Sequence, residues 1–149
     1  MRTAEQVKWD FVRQWLDKAR KDLAAGEVLL KEEFEDYENV GFHAQQAGEK
    51  FIKAFLVRHQ IEFPKSHDIA LLRQLVARVD PRLAEKLTAA DALTPYGVEF
   101  RYPGDPPSVS RAEGEEALRL AKETRTLIIE SLKSYLDAGN PGAGEPEKK

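Results

Sequence analysis

The sequence predicts an all-α protein, an antiparallel up-and-down helical bundle of four to five helices. Apolar residues recur at helical spacing along four long segments, and no segment of useful length alternates with the period of a strand. The 149 residues can enclose one core but not two comfortable ones. We therefore predict a single domain over residues 1–138. The Pro-, Gly- and charge-rich residues 139–149 should form a disordered tail.

Composition narrows the possible functions. A net charge of −3 provides no global positive field for non-specific binding of nucleic acid. The absence of cysteine excludes disulfides, thiolate catalysis and cysteine-ligated metals. Three histidines with no His-x-x-x-His pair lead us to expect neither a metal nor a cofactor. No apolar run approaches a membrane span, and the N-terminus lacks an apolar signal core, so we expect a cytoplasmic protein.

The first helix should begin after Thr3, because Thr3 and Gln6 have the spacing of a capping box. Its apolar face extends from Trp9 to Leu30, and the helix should fray between residues 32 and 36, where charged residues replace the pattern. Asp22 falls within the apolar face. A carboxylate there lies either at the rim in water or buried with a cationic or hydroxyl partner.

The central helix should extend from about Asn39 to Gln60, and the rest of the bundle should pack around it. Its apolar arc is wider than that of a surface helix, with Gln45 inside the margin and Glu49 on the border. Lys53 falls on the opposite, polar face. The members of the arc are Val40, Ala44, Ala47, Gly48, Phe51, Ile52, Ala54, Phe55 and Leu56.

Three further helices follow. Ser66 should cap the third, with Asp68 in its first turn. Pro81 suits the first position of the fourth. Ser110 should cap the last helix in a second capping box, completed by Glu113.

Residues 94–110 form the one long segment without a helical pattern. They include four prolines and two glycines, and a loop of this length in a helical domain is usually functional or mobile. Tyr96, Phe100, Arg101 and Tyr102 give it more aromatic and cationic surface than a connector requires. We expect the segment to lie over the central helix.

The polar residues singled out by these patterns form one candidate ligand-binding set. A buried acid needs a cation, so we expect Arg101 to pair with Asp22 or Glu49, with His67 nearby. The set would suit a nucleotide, and equally a salt bridge that fixes the loop to the bundle. We assign no catalytic residue, since no Gly-rich phosphate loop, His-Glu-x-x-His or nucleophile elbow is present. The candidate residues are Asp22, Gln45, Glu49, Lys53, His67, Tyr96, Arg101 and Tyr102.

Four segments in this order resemble the HEPN family (higher eukaryotes and prokaryotes nucleotide-binding), as a stand-alone prokaryotic member. Individually they are unspecific, but their order and separations are specific. They are WLDKARKDL at 15–23, FHAQQAGEK at 42–50 followed by Lys53-Ala54, His67-Asp68-Ile69, and Arg101-Tyr102-Pro103.

The resemblance implies a compact helical bundle, commonly a homodimer. Many stand-alone members are encoded beside a small nucleotidyltransferase and act with it as a two-component system, in some cases similar to a toxin–antitoxin pair. A nucleotide-binding role was proposed for the family. Other members are metal-independent ribonucleases with an Arg-x4–6-His motif.

That ribonuclease motif is absent from this sequence. His43, His59 and His67 each lack an arginine five to seven residues earlier. The leading hypothesis is therefore a non-catalytic protein that binds a nucleotide or a nucleotidyltransferase partner. A ribonuclease toxin with non-standard residues and a purely structural interaction module are the alternatives.

We also expect a homodimer. Phe42 and Val57 lie on the otherwise polar side of the central helix, and Trp9 and Trp15 widen the face of the first helix. A domain of this size has difficulty covering all of these surfaces from within.

Overall fold

The computed structural model describes residues 1–32, 35–98 and 109–142. A helical bundle is confirmed, and the described residues contain no strand. These residues contain six α-helices and one 3-10 helix. They are α1 (Ala4–Lys31), α2 (Tyr37–Arg58), α3 (Ile69–Val76), α4 (Pro81–Lys86), the 3-10 helix (Thr88–Leu93), α5 (Thr94–Val98) and α6 (Arg111–Ala138). The number exceeds the four to five predicted because the chain between α2 and α6 forms three short α-helices and the 3-10 helix.

Both predicted capping boxes are confirmed. The Thr3 side chain accepts a hydrogen bond from the Gln6 backbone N–H, and the Gln6 side chain accepts one from the Thr3 backbone in return. Ser110 and Glu113 make the same reciprocal pair at the start of α6. Each box satisfies two backbone donors that the first turn leaves without partners, so the two longest helices begin where the sequence indicates.

Helix α2 is the centre of the bundle, as predicted. All nine residues of its expected apolar arc are buried. Asn39 and Phe42 are its only exposed residues. The helix contacts α1, α6, α3, α5 and the 3-10 helix, so polar side chains on it face protein more often than water.

The three long helices do not all alternate in direction. Helix α1 runs antiparallel to α2, since Asp22 meets Lys50 while Lys53 lies over Trp15. Helix α6 runs parallel to α2, since Gly114 lies against Val40 and the Arg58 guanidinium lies over the Tyr135 ring. The short elements between α2 and α6 return the chain to the end at which α2 begins.

The prediction that Ser66 caps the third helix is wrong, because Asp68 is the cap. The Asp68 Oδ1 atom accepts from the backbone N–H groups of Ala70 and Leu71 at 3.0 and 3.4 Å. Ser66 Oγ instead accepts from the Asp68 N–H at 3.1 Å. A carboxylate at the cap satisfies two donors and also complements the helix dipole. Pro81 opens α4 as expected.

The expectation of an irregular chain from 94 onward is also wrong for its first part, because Thr94–Val98 is helical. Pro95 is tolerated there because it lies in a first turn. The element packs on α2 through two glycines. A Cβ added at Gly41 would lie 2.5 Å from the Tyr96 ring, and one added at Gly97 would lie 2.5 Å from the Gln45 amide. Residues 99–108 lie outside the described part of the chain.

The buried residues of the last helix recur at helical spacing along one face; they are Gly114, Ala117, Leu118, Leu120, Ala121, Thr124, Ile128 and Leu132. It ends at Ala138, followed by Gly139 as the cap residue. Most of the predicted tail, residues 143–149, lies outside the described residues. None of the described helices combines the length and the apolarity needed to cross a membrane.

Candidate functional site

The carboxylate of Glu49, with 3% of its side chain exposed, is the centre of the candidate site. Its Oε1 atom lies 2.7 Å from His67 Nδ1 and accepts from Gln45 Nε2 at 3.4 Å. Its Oε2 atom lies 3.4 Å from Lys53 Nζ. A buried carboxylate is stable only when a cation and hydrogen-bond donors replace its water, and Glu49 has both.

Lys53 supplies that cation. The prediction that Lys53 lies on the polar face of α2 is wrong, because only 9% of its side chain is exposed. Its ammonium lies 5.4 Å from the ring centres of both Trp15 and Phe63. The aliphatic stem packs as a hydrophobic group, while the charge meets Glu49 one turn earlier, the direction in which helical side chains lean.

His67 is held by Nδ1, while its other ring nitrogen has no hydrogen-bond partner among the described residues. An ionised carboxylate can only accept hydrogen bonds, so the Nδ1 of His67 carries the proton that it donates to Glu49. The side chain is 56% exposed, and no described residue forms a hydrogen bond with Nε2. In the neutral ring Nε2 is an acceptor. In the protonated ring it is a donor suited to an anion.

Gln45 connects this centre to the rest of the bundle. It is fully buried, and its amide nitrogen also donates to the backbone carbonyl of His67 at 3.2 Å. Its oxygen accepts from Gln46 Nε2 at 2.7 Å. Gly97 of α5 packs on the same Gln45 amide. Gln45 therefore contacts both His67 and α5, and it fixes the position of α5.

Asp22 forms a second carboxylate centre, between α1 and α2. Its Oδ1 atom lies 3.0 Å from His43 Nδ1, and its other oxygen pairs with Lys50 Nζ. Neither His43 nor Lys50 belongs to the set of site residues predicted from the sequence. His43 and Lys50 are seven residues apart, which places both on one side of a helix. They could have been predicted from that spacing.

The structure therefore brings Gln45, Glu49, Lys53 and His67 together and gives Asp22 other partners. Tyr96 lies against Gly41, on the element that packs beside Gln45. The expected pairing of Arg101 with Asp22 or Glu49 is not tested, since Arg101 and Tyr102 lie outside the described residues.

The third histidine, His59, belongs to a different environment. Its ring packs on Phe55 with centroids 4.4 Å apart. Burial, and then the positive charges of Arg58 and Lys8, lower the pKa of His59, while Asp80 opposes the shift. The three histidines are thus distinguishable: two bonded to carboxylates and one packed on an aromatic ring. No group of His, Asp and Glu within the described ranges is arranged to hold a metal ion.

Comparison with known proteins identifies the family. The HEPN domain profile matches residues 12–132, which extend from the third turn of α1 to the last turns of α6. The chain belongs to the HEPN domain family. No curated protein matches it.

A solved structure that resembles the chain is the crystal structure of TT1696 from Thermus thermophilus. The two sequences are 31% identical, with a TM-score of 0.64. The match covers 81% of this chain and 98% of TT1696. The helical bundle is therefore shared over nearly the whole length of that protein.

We predict that Lys53→Met will destabilise the fold by about 3 kcal/mol, because it leaves Glu49 buried without its cation. Adding Glu49→Gln to Lys53→Met should recover most of that loss, since both charges are then absent. Chemical denaturation of the single and double variants measures the coupling. Lys122→Met is the control, because Lys122 and Glu27 form an exposed pair worth less than about 1 kcal/mol. Equal losses for Lys53→Met and Lys122→Met would contradict the prediction.

Proposed function

We propose that this HEPN protein is a non-catalytic nucleotide-binding protein and the partner of a small nucleotidyltransferase in a two-component, toxin–antitoxin-like system. The observation that carries the binding proposal is His67, held at Nδ1 by buried Glu49 and more than half exposed. An oriented imidazole at a surface is preorganised for a ligand, because its rotamer entropy is already lost.

The chemistry of His67 defines the ligand class. With Nδ1 protonated, neutral Nε2 accepts a hydrogen bond from a ribose hydroxyl or a base amino group. When protonated, it donates to a phosphate oxygen. In this proposal Arg101 holds a phosphate, for which its forked guanidinium is suited, and Tyr96 or Tyr102 stacks on the base.

The partnership with a nucleotidyltransferase rests on membership of the HEPN family and on the resemblance to stand-alone members encoded beside such enzymes. Its first test is whether a small nucleotidyltransferase is encoded next to this protein and co-purifies with it. The absence of both would remove this part of the proposal.

The same histidine favours one alternative, a metal-independent ribonuclease. A carboxylate that orients an imidazole is the arrangement of a general base, and Nε2 of His67 could remove the proton of a ribose 2′-hydroxyl. Phosphate-ester cleavage also requires a cation near the developing charge. Lys53 is occupied by Glu49, and the Arg-x4–6-His motif is absent, so binding is the better-supported function.

We predict that ATP, GTP or their monophosphates will release or absorb heat with the wild-type protein in calorimetry. Replacing His67 with Gln, or Arg101 with Ala, should weaken binding about tenfold or more, the effect expected from losing a hydrogen bond to a charged group. His59→Gln is the matched control. In NMR spectra recorded while the nucleotide is added, the ring signals of His67 should shift and those of His59 should not. No binding by any of the four nucleotides would contradict the proposal.

Incubation with total RNA in the presence of a chelator separates the two functions. Intact RNA is the expected result. Cleavage by the wild type that His67→Gln abolishes would replace the binding proposal with the catalytic one.

We further propose a homodimer, supported by exposed apolar residues: Phe42 of α2 is 38% exposed, and Val7, Phe11 and Val28 of α1 are 40%, 51% and 57% exposed. Light scattering at micromolar protein concentration should give twice the 16.9 kDa chain mass. A monomer mass under these conditions would contradict it.

A further inference from the structure

A series of hydrogen bonds with a fixed direction leads from buried Glu49 to the surface of α2. The Glu49 carboxylate only accepts hydrogen bonds, so Gln45 directs its Nε2 atom at Glu49 Oε1, and the same nitrogen donates to the His67 carbonyl. The Gln45 oxygen is therefore an acceptor, and Gln46 Nε2 donates to it at 2.7 Å. Gln46 keeps its own oxygen, Oε1, as an acceptor to which no described residue donates.

Asp22 imposes the same direction on His43. One oxygen of its carboxylate pairs with Lys50, and the other lies 3.0 Å from His43 Nδ1. Because an ionised carboxylate cannot donate a hydrogen bond, His43 Nδ1 carries the proton. In the neutral ring Nε2 is then an acceptor, and no described residue forms a hydrogen bond with it. The His43 side chain is 28% exposed, so part of the ring is accessible from solvent.

His43 and Gln46 lie side by side on α2. Residues three apart on a helix are neighbours, with Cβ atoms about 5–6 Å apart, and both side chains are only partly buried. Gln46 is also connected to His67, because Gln45 forms hydrogen bonds with both residues. The two acceptors therefore adjoin the imidazole on which the proposed nucleotide binding depends.

We propose that His43 Nε2 and Gln46 Oε1 accept hydrogen bonds from the guanine base of a bound nucleotide. This inference rests on the nucleotide-binding function proposed above and names the base. Two neighbouring acceptors require a ligand with two neighbouring donors. Guanine has them on its Watson–Crick edge, in N1–H and the N2 amino group, whereas adenine has an acceptor, N1, beside its single amino group.

The selectivity arises because these acceptors cannot change role. A histidine or an amide that is free to rotate presents a donor as easily as an acceptor, and would bind adenine equally well. Here a carboxylate fixes the direction of each series of hydrogen bonds, so adenine N1 would face an acceptor with no proton between them. A site built for one pattern of donors rejects a ligand that leaves its polar groups unpaired.

Calorimetry with GMP, IMP and AMP tests the choice of base. The three nucleotides share ribose and phosphate, and IMP differs from GMP only in lacking the N2 amino group. At about pH 8, where imidazole is ordinarily neutral, GMP should bind about tenfold more tightly than either IMP or AMP, because each of these loses a hydrogen bond.

The outcomes separate this inference from the function on which it rests. Equal dissociation constants, or tighter binding of IMP or AMP, would overturn guanine recognition and leave nucleotide binding intact. Absence of binding by all three would overturn guanine recognition as well, and the triphosphates tested above would then decide nucleotide binding itself.

Two substitutions test whether the recognition lies on α2. His43→Phe removes the imidazole acceptor, and Gln46→Met removes the amide acceptor. In each variant the ratio of the AMP to the GMP dissociation constant should fall several-fold. Loss of stability does not change this ratio, because both nucleotides bind the same folded protein. His59→Phe is the control, since His59 packs on Phe55, and it should leave the ratio unchanged. A ratio that neither substitution lowers would overturn the assignment.

The wild-type protein provides a second measurement that requires no variant to fold. Long-range proton–nitrogen NMR should show neutral His43 with its proton on Nδ1. Adding GMP should shift the Nε2 signal of His43, and adding AMP should shift it less. A His43 ring that carries its proton on Nε2 in the free protein has no acceptor to offer, and this result would overturn the inference.

Discussion

The buried charge of Glu49 constrains the rest of this bundle. A carboxylate at the centre of a helical domain loses its water and must obtain a cation and donors from the protein. That requirement explains why Lys53 is buried beside Glu49, why Gln45 is buried with its amide directed at Glu49, and why His67 is held at the start of the chain leading to α3. One acid on α2 thus connects the central helix to its neighbours and leaves an oriented imidazole at the surface.

Much of the fold was accessible from sequence, because it depends on local rules. Periodicity located the arc of α2, and cap chemistry located Thr3 and Ser110. The errors arose where partners distant in sequence decide the outcome. Lys53 was assigned to the polar face because a helical wheel cannot anticipate that Trp15 and Phe63 lie beside its ammonium.

The candidate site was predictable in its residue types but not in its pairing. Asp22 and Glu49 stand out in the sequence as acids on semi-apolar helix faces, and in the structure each obtains a lysine and a histidine from the described bundle. Spacing indicates which residues share a face of one helix. It does not indicate which side chain of another helix or loop reaches that face, and for that reason His43 was missed.

Long-range proton–nitrogen NMR of the imidazole rings will show whether Glu49 fixes the tautomer and orientation of His67. We expect neutral His67 to carry its proton on Nδ1, and Glu49→Gln to remove this preference while leaving His59 unchanged. A His67 ring protonated on Nε2, or one that averages between tautomers in the wild-type protein, would contradict it.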